Sequence, residues 1–231
     1  PALAAGCTVV IKPAAFTPLS ALAIAELALR AGIPAGVLNV ITTTHSSDVG
    51  TVLCASETVR HLSFTGSTEV GRKLMAQCAP TLKRLALELG GNAPFIVFDD
   101  ADIDSAVAGA MQSKFRNAGQ TCVCANRFYV QDKVYECFVE QMAQAMRDTL
   151  QVGNGFAQGS TVGPLIEAAA VQKVQAQIDD AVAHGGRIMT GGKVANGLFV
   201  EPTLIANAQP NMLCAREETF GPLAPVFRFH T

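Results

Sequence analysis

The chain has 231 residues, of which 49% are hydrophobic, 16% charged and 6% aromatic, with 17 Lys and Arg against 19 Asp and Glu and a formal net charge of −2. That composition excludes a disordered chain and a basic nucleic-acid or membrane-surface binder, and no apolar run reaches the roughly 18 residues a membrane helix needs; neither a nucleic-acid nor a membrane partner is expected. The charged fraction lies below the roughly 25% of an ordinary domain, so part of the surface is expected to face other protein segments rather than water.

Residues 7–11, Cys-Thr-Val-Val-Ile, are rich in β-branched side chains and stop at Lys12-Pro13, which predicts a strand. Leu19, Leu22, Ala23, Leu27 and Arg30 recur at helical spacing, with a start at Pro18 and Ser20 and a stop at Gly32 and Pro34, which predicts a helix over 18–31. A strand at 37–41, a helix near 48–56, an apolar run at 59–64 and a helix opening at Ser67 and ending before Pro80 follow. Strands spaced by helices imply parallel βαβ units in a doubly wound α/β sheet. A fourth apolar run, 85–89, is broken by Gly90-Gly91-Asn92, and a domain boundary is placed there. Beyond it, 95–98 reads as a strand, 102–115 as a helix capped by Asp102, 127–130 as a strand, and 133–150 and 167–183 as helices. The later stretch is punctuated by Gly153, Gly155, Gly159, Gly185, Gly186, Gly191 and Gly192, and 226–231 reads as a strand cut short.

Residue 1 is Pro, and no basic segment followed by an apolar core marks a signal peptide; a portion of a longer chain is expected. Seven cysteines, an odd number in a chain of this length, point to free thiols in a reducing, cytoplasmic setting. His45, His61, His184 and His230 stand far in sequence from the Cys122/Cys124 pair, so no metal site is expected.

Three segments carry chemistry. No G-x-G-x-x-G fingerprint is present, but Ser63-Phe64-Thr65-Gly66-Ser67-Thr68 runs from an apolar strand into a Gly and a capping Ser. Such an end suits a phosphate, through free N–H groups and the helix dipole, or is an ordinary capped junction. Asn117-Ala118-Gly119-Gln120-Thr121-Cys122 is a small-residue turn leading into a thiol, whose thiolate is a nucleophile; Cys7, Cys54, Cys78, Cys137 and Cys214 read as small buried hydrophobes. Glu88 stands in a run of leucines, where burial would raise its pKa toward a general base or leave it a satisfied structural carboxylate.

Together these pieces resemble the aldehyde dehydrogenase superfamily. The resemblance is carried by residues 1–6 with Lys12-Pro13, Phe64-Thr65-Gly66-Ser67, Leu87-Glu88-Leu89-Gly90-Gly91-Asn92, Gly119-Gln120-Thr121-Cys122 and Glu217-Glu218-Thr219-Phe220-Gly221-Pro222, in that order along the whole chain. Within the superfamily, residues 114–126 are most similar to the succinate-semialdehyde dehydrogenases. The resemblance implies a parallel, doubly wound (Rossmann-like) cofactor sheet plus an α/β catalytic domain, both incomplete: 1–90 as the C-terminal part of the NAD(P)-binding domain and 91–231 as most of the catalytic domain. It implies Cys122 as the nucleophile that adds to an aldehyde and Glu88 as the base that activates water against the resulting thioester. For NADP or NAD it implies Lys12 at the adenosine ribose with Pro13 and Ala15 beside it, Gly66 and Ser67 at the phosphates, Leu89 near the nicotinamide, and Glu218 at its ribose with Phe220 close by.

Many NAD-preferring members carry Glu where this chain has Ala15, so the resemblance implies that NADP is tolerated or preferred. Residues 43–47, Thr-Thr-His-Ser-Ser, depart from the Gly-rich loop common there. Arg116 is implied to meet the far carboxylate of a short ω-carboxylated aldehyde, succinate semialdehyde first and glutarate semialdehyde second. Cys124, if the segment is extended, would share a face with Cys122 and form a disulfide that blocks catalysis. A homo-oligomer, dimer or tetramer, is implied for the full-length protein. The family's Pro-Trp-Asn-Phe-Pro segment, whose Asn amide helps stabilise the oxyanion, is not in this chain, so negligible activity is expected of the 231 residues alone. The rival readings are a non-catalytic segment that binds nucleotide or another subunit and a cysteine-dependent thioester hydrolase or acyltransferase. Isolated, the chain is expected to expose apolar patches and aggregate.

Overall fold

Valine and isoleucine form the first strand, β1 (Val9–Ile11), which pairs in parallel with β2 (Leu38–Val40); α1 (Leu19–Arg30) connects them. After α2 (Ser46–Ala55), β3 (His61–Gly66) and β4 (Arg84–Leu89) form a second parallel pair joined by α3 (Thr68–Cys78). These are the two expected βαβ units, and no ladder joins one pair to the other. The computed structural model describes residues 1–231 and divides into two units, Pro1–Leu89 and Gly90–Thr231. In the first unit a small core of Cys54, Leu62 and Cys78 is flanked by Leu53, Phe64, Leu74 and Leu85. Burial pushes the Cys54 thiol up to about 11, so it packs there as a neutral group. Lys83 Nζ donates to the carbonyls of Ser56 at 2.7 Å and Val59 at 2.5 Å and so closes the segment between α2 and β3. Helix α1 buries none of its residues and leaves Leu19, Ile24, Leu27 and Leu29 exposed, the apolar surface that the low charged fraction predicts.

The second unit is built on a five-stranded sheet in the order β5-β6-β11-β10-β7: β5 (Ala93–Val97), β6 (Ala125–Gln131), β11 (Leu223–Phe229), β10 (Thr203–Ala206) and β7 (Arg187–Thr190). All its pairings are parallel except β10 with β7. Side chains alternate between two cores. Phe128, Val130, Leu204, Ala224 and Val226 face α4 (Ile103–Phe115) and α5 (Asp132–Thr149), while Ile205, Leu223 and Phe227 face α6 (Ala168–Ala183). Each fully buried large side chain contributes roughly 1.5–3 kcal/mol relative to exposure, so a sheet covered on both faces anchors the unit. Asp102 caps α4 by accepting from the Ser105 N–H at 2.8 Å, as expected. The buried Tyr135 hydroxyl of α5 donates to Val226 O at 3.1 Å and accepts from the Asn207 N–H at 2.7 Å, tying helix to sheet. A short hairpin of β8 (Val194–Asn196) and β9 (Phe199–Val200) and a single turn, α7 (Leu213–Arg216), complete the unit. No helix is long and apolar enough to cross a membrane.

Candidate active site

The loop between α4 and β6 is the most constrained backbone in the second unit. Asn117, Ala118 and Gly119 take φ of 53°, 54° and 73° in succession, and non-glycine residues in this region cost about 1–3 kcal/mol each. What holds them is hydrogen bonding and close packing. The Gln120 side chain donates to Pro164 O at 3.3 Å and accepts from the Ile166 N–H at 2.9 Å, and Asn117 Nδ2 donates to Gln120 O at 3.1 Å. A Cβ on Gly119 would overlap the Gly221 carbonyl oxygen, so only glycine permits the approach of the segment before β11.

This frame ends in a turn closed by the Cys124 N–H on Thr121 O at 3.3 Å, with Cys122 and Val123 exposed on it. Cys124 is buried and its Sγ donates to Gly119 O at 3.3 Å. The segment is therefore not extended, and the shared face on which a Cys122–Cys124 disulfide was expected is not present: the i to i+3 hydrogen bond turns one thiol out and the other in. A thiol exposed on a loop held this tightly has the geometry a nucleophile needs, with its direction of approach fixed by the backbone. Arg116, on the same loop, is also exposed and makes no ion pair, so its guanidinium is available to an anion.

Beneath the loop lies a polar cluster that reading along the sequence missed. Lys114, in the last turn of α4, is fully buried and donates to Asn126 Oδ1 at 3.1 Å. Burial lowers its pKa to about 8, with Cys124 and Glu218 pulling it back up. Asn126 Nδ2 donates to Gly91 O at 3.1 Å, and the Gly91 N–H donates to Glu218 Oε1 at 3.2 Å. Asn92 Nδ2 reaches Ala215 O at 3.1 Å, and Phe220 sits at φ 50° just beyond Glu218. Glu218 is thus held, half-buried, by backbone on one side while Phe220 remains partly exposed.

In the first unit, Lys12 Nζ donates to Pro13 O at 2.7 Å and to Ser46 Oγ at 3.2 Å, beside a hollow of about 240 Å³ lined by Pro13, Ala14, Ala15, Pro18 and Thr42, Thr43 and Thr44. The hollow is small and contains no carboxylate. Gly66 ends β3, where a Cβ would stand 2.5 Å from the Phe64 ring, and Ser67 caps α3 by accepting from the Val70 N–H at 3.3 Å. Leu89 packs its side chain on α3, so closely that a Cβ on Gly71 would come within 2.6 Å of it.

Two expectations about burial are corrected. Glu88 is exposed: β4 alternates, placing Leu85, Leu87 and Leu89 inward and Arg84, Ala86 and Glu88 outward, so the run of leucines does not enclose the carboxylate. Cys7 and Cys137 are exposed, whereas Cys54, Cys78 and Cys214 are buried; Cys137 lies on the face of α5 opposite Tyr135, Phe138 and Met142. The structure places Cys122, Arg116, Cys124, Glu218 and Phe220 in the second unit and Lys12, Pro13, Ala15, Gly66, Ser67, Glu88 and Leu89 in the first.

Comparison with known proteins gives these residues a context. The chain is 60% identical over 229 residues to the glutarate-semialdehyde dehydrogenase of Pseudomonas putida, covering 99% of this chain and 47% of that protein. It is 59% identical over 231 residues to the succinate-semialdehyde dehydrogenase (NADP(+)) GabD of Escherichia coli, covering 99% of this chain and 48% of that protein. Among solved structures, an E. coli NADP dependent enzyme superposes with a TM-score of 0.97 at 59% identity, covering 99% of this chain and 48% of that one. An aldehyde dehydrogenase from Brucella melitensis biovar abortus does so with 0.96 at 60%, covering 99% and 47%. The chain thus spans about half the length of the curated relatives it matches. The profile of the aldehyde dehydrogenase family matches residues 1–231, and with the motifs in order on the elements described, the chain belongs to that family.

Proposed function

We propose that the protein carrying this chain oxidises a short ω-carboxylated aldehyde to the acid with NADP or NAD. The observation that carries the reading is the exposed Cys122 thiol at the end of a strained, hydrogen-bonded loop that also displays the unpaired Arg116. Relatives named succinate- and glutarate-semialdehyde dehydrogenases support the substrate class. The Cys122 thiolate adds to the aldehyde carbon to give a hemithioacetal, and Arg116 binds the distal carboxylate. A bound NADP or NAD would supply the hydride acceptor, so that the hemithioacetal on Cys122 becomes a thioester by loss of hydride. Glu88 takes a proton from the water that cleaves this ester, releasing the acid and restoring the thiol.

The residues present fit the nucleotide. The small hollow at Ala15 and Thr44 holds no carboxylate to repel a 2′-phosphate, Ser67 opens a helix N-terminus suited to the diphosphate, and Glu218 offers a carboxylate to ribose hydroxyls. Succinate semialdehyde and glutarate semialdehyde, each supplied to the purified gene product with NADP or NAD, are expected to yield reduced nucleotide and the dicarboxylic acid in equal amounts. If acid forms from a thioester substrate and no reduced nucleotide is ever seen, the hydrolase reading replaces this one.

Two substitutions sharpen the assignment. Arg116→Met is expected to raise KM for succinate semialdehyde by roughly 10- to 100-fold, the loss of one charge-assisted contact. An aldehyde of equal length without the carboxylate should not notice the change, and steady-state kinetics with both substrates checks it. Ala15→Glu is expected to lower kcat/KM for NADP by about tenfold or more while leaving NAD less affected, through like-charge repulsion. Equal losses with both nucleotides would place the 2′-phosphate elsewhere.

A further inference from the structure

Lys114 is a fully buried ammonium whose one acceptor is a neutral amide, Asn126 Oδ1 at 3.1 Å. A charge buried without an ion pair destabilises a fold, and a methionine of similar shape would fill the same space without that penalty. Lysine supplies something methionine does not: donors with no acceptor. Facing it, Asn126 must present Oδ1, which turns Nδ2 to Gly91 O at 3.1 Å. Gly91 then donates its N–H to Glu218 Oε1 at 3.2 Å. Sterics do not hold Gly91, because a side chain there would meet no atom within 4 Å; its two hydrogen bonds do. Gly90 allows the carboxylate its close approach, since a Cβ there would overlap Glu218 Oε2.

We infer that Lys114 is a positioning residue for nucleotide binding, holding the Glu218 carboxylate in place through the Asn126 amide and the Gly91 backbone. This rests on the reading of Glu218 as a nucleotide ligand. The titratable groups facing Lys114 are Cys124, in the turn ahead of β6, and Glu218 itself. Lys114 is charged below about pH 8 and loses its proton above it, so the hold on Glu218 weakens as pH rises through that value.

The test is titration of the purified gene product with NADPH, followed by nucleotide fluorescence, for the wild type, Lys114→Met, Glu218→Gln and the double variant from pH 7 to 9.5. Lys114→Met is expected to weaken binding about fivefold at pH 7 and to add nothing in the Glu218→Gln background, as for two residues of one network. The wild type is expected to fall toward Lys114→Met affinity above about pH 8, and both single variants should be flat with pH. A purely structural role would shift the urea midpoint of Lys114→Met and leave the pH profile of binding untouched. Wild-type affinity in a folded Lys114→Met, an equal loss in the Glu218→Gln background, or a pH dependence that survives Glu218→Gln each overturns the inference. The last of these can be read even where Lys114→Met does not fold. Failure of the wild type to bind NADPH or NADH overturns the nucleotide reading itself, and the Lys114 role with it.

Discussion

On the proposed function, Cys122→Ala in the gene product carrying this chain is expected to lower kcat/KM for succinate semialdehyde by about 10⁴-fold or more and to change NADPH binding less than about twofold. The size of the loss follows from the absence of a substitute. Cys124 is the nearest thiol in sequence, but it is buried and its Sγ is engaged with the Gly119 carbonyl, so it cannot take over attack on an aldehyde. The loop itself should survive the change. Its geometry is set by Asn117, Gln120 and Gly119 and their partners at Pro164, Ile166 and Gly221, none of which touches the Cys122 side chain in the bonds described. Steady-state kinetics with both semialdehydes, paired with nucleotide titration, checks both halves. Retention of more than a hundredth of the wild-type rate would move the nucleophile to another residue.

Gly119→Ala is expected to destabilise the second unit by about 3 kcal/mol or more, among the largest effects of any single methyl group in this chain. Two penalties add. A φ of 73° is strained for alanine by roughly 1 kcal/mol, and the new Cβ would overlap the Gly221 carbonyl oxygen and stand 3.2 Å from Lys114 O, both backbone atoms that cannot swing aside. Gly185→Ala is the control: its φ of 92° carries the same kind of strain, but nothing lies within 4 Å of the added Cβ. Urea midpoints of the two variants should therefore differ by more than the strain they share. Equal midpoints would mean that the segment before β11 yields easily, and that the strained loop is not pinned as described.

The sequence is a good guide where one periodicity runs long enough to be counted. Helix α4 begins at the expected Asp102 cap, and α5 and α6 lie where helical spacing places them, because their apolar faces meet cores large enough to enforce the pattern. Strands β7, β8, β9 and β10 were not anticipated individually. They have two to four residues each, so too few alternations exist to reveal a period.

The polar residues divide in a related way. Glu88 invited a reading by composition, carboxylate among leucines, where the strand period of two was the stronger signal and sends it to the opposite face. Lys114 has the converse history. A lysine in a helix suggests solvent, but Lys114 falls on the stripe Val107, Ala110, Lys114 at helical spacing, and all three are buried. Following the stripe rather than the residue type would have found it. Asn126 offered no such sign, because its part depends on Gly91, which only the parallel pairing of β5 with β6 brings alongside.

The sheet order has a consequence for synthesis. Strand β11, residues 223–229, lies between β6 and β10, so it is the middle of these five strands and the last of the five to be made. Until it leaves the ribosome, β5 and β6 have no ladder to β10 and β7, and the two cores that face α4 and α6 share no wall. A nascent chain in that state displays Phe128, Leu204 and Ile205, side chains that the finished unit buries entirely. A ribosome that stalls before residue 223 leaves that surface open to chaperones or to aggregation, because the strand that joins β6 to β10 has not yet been made.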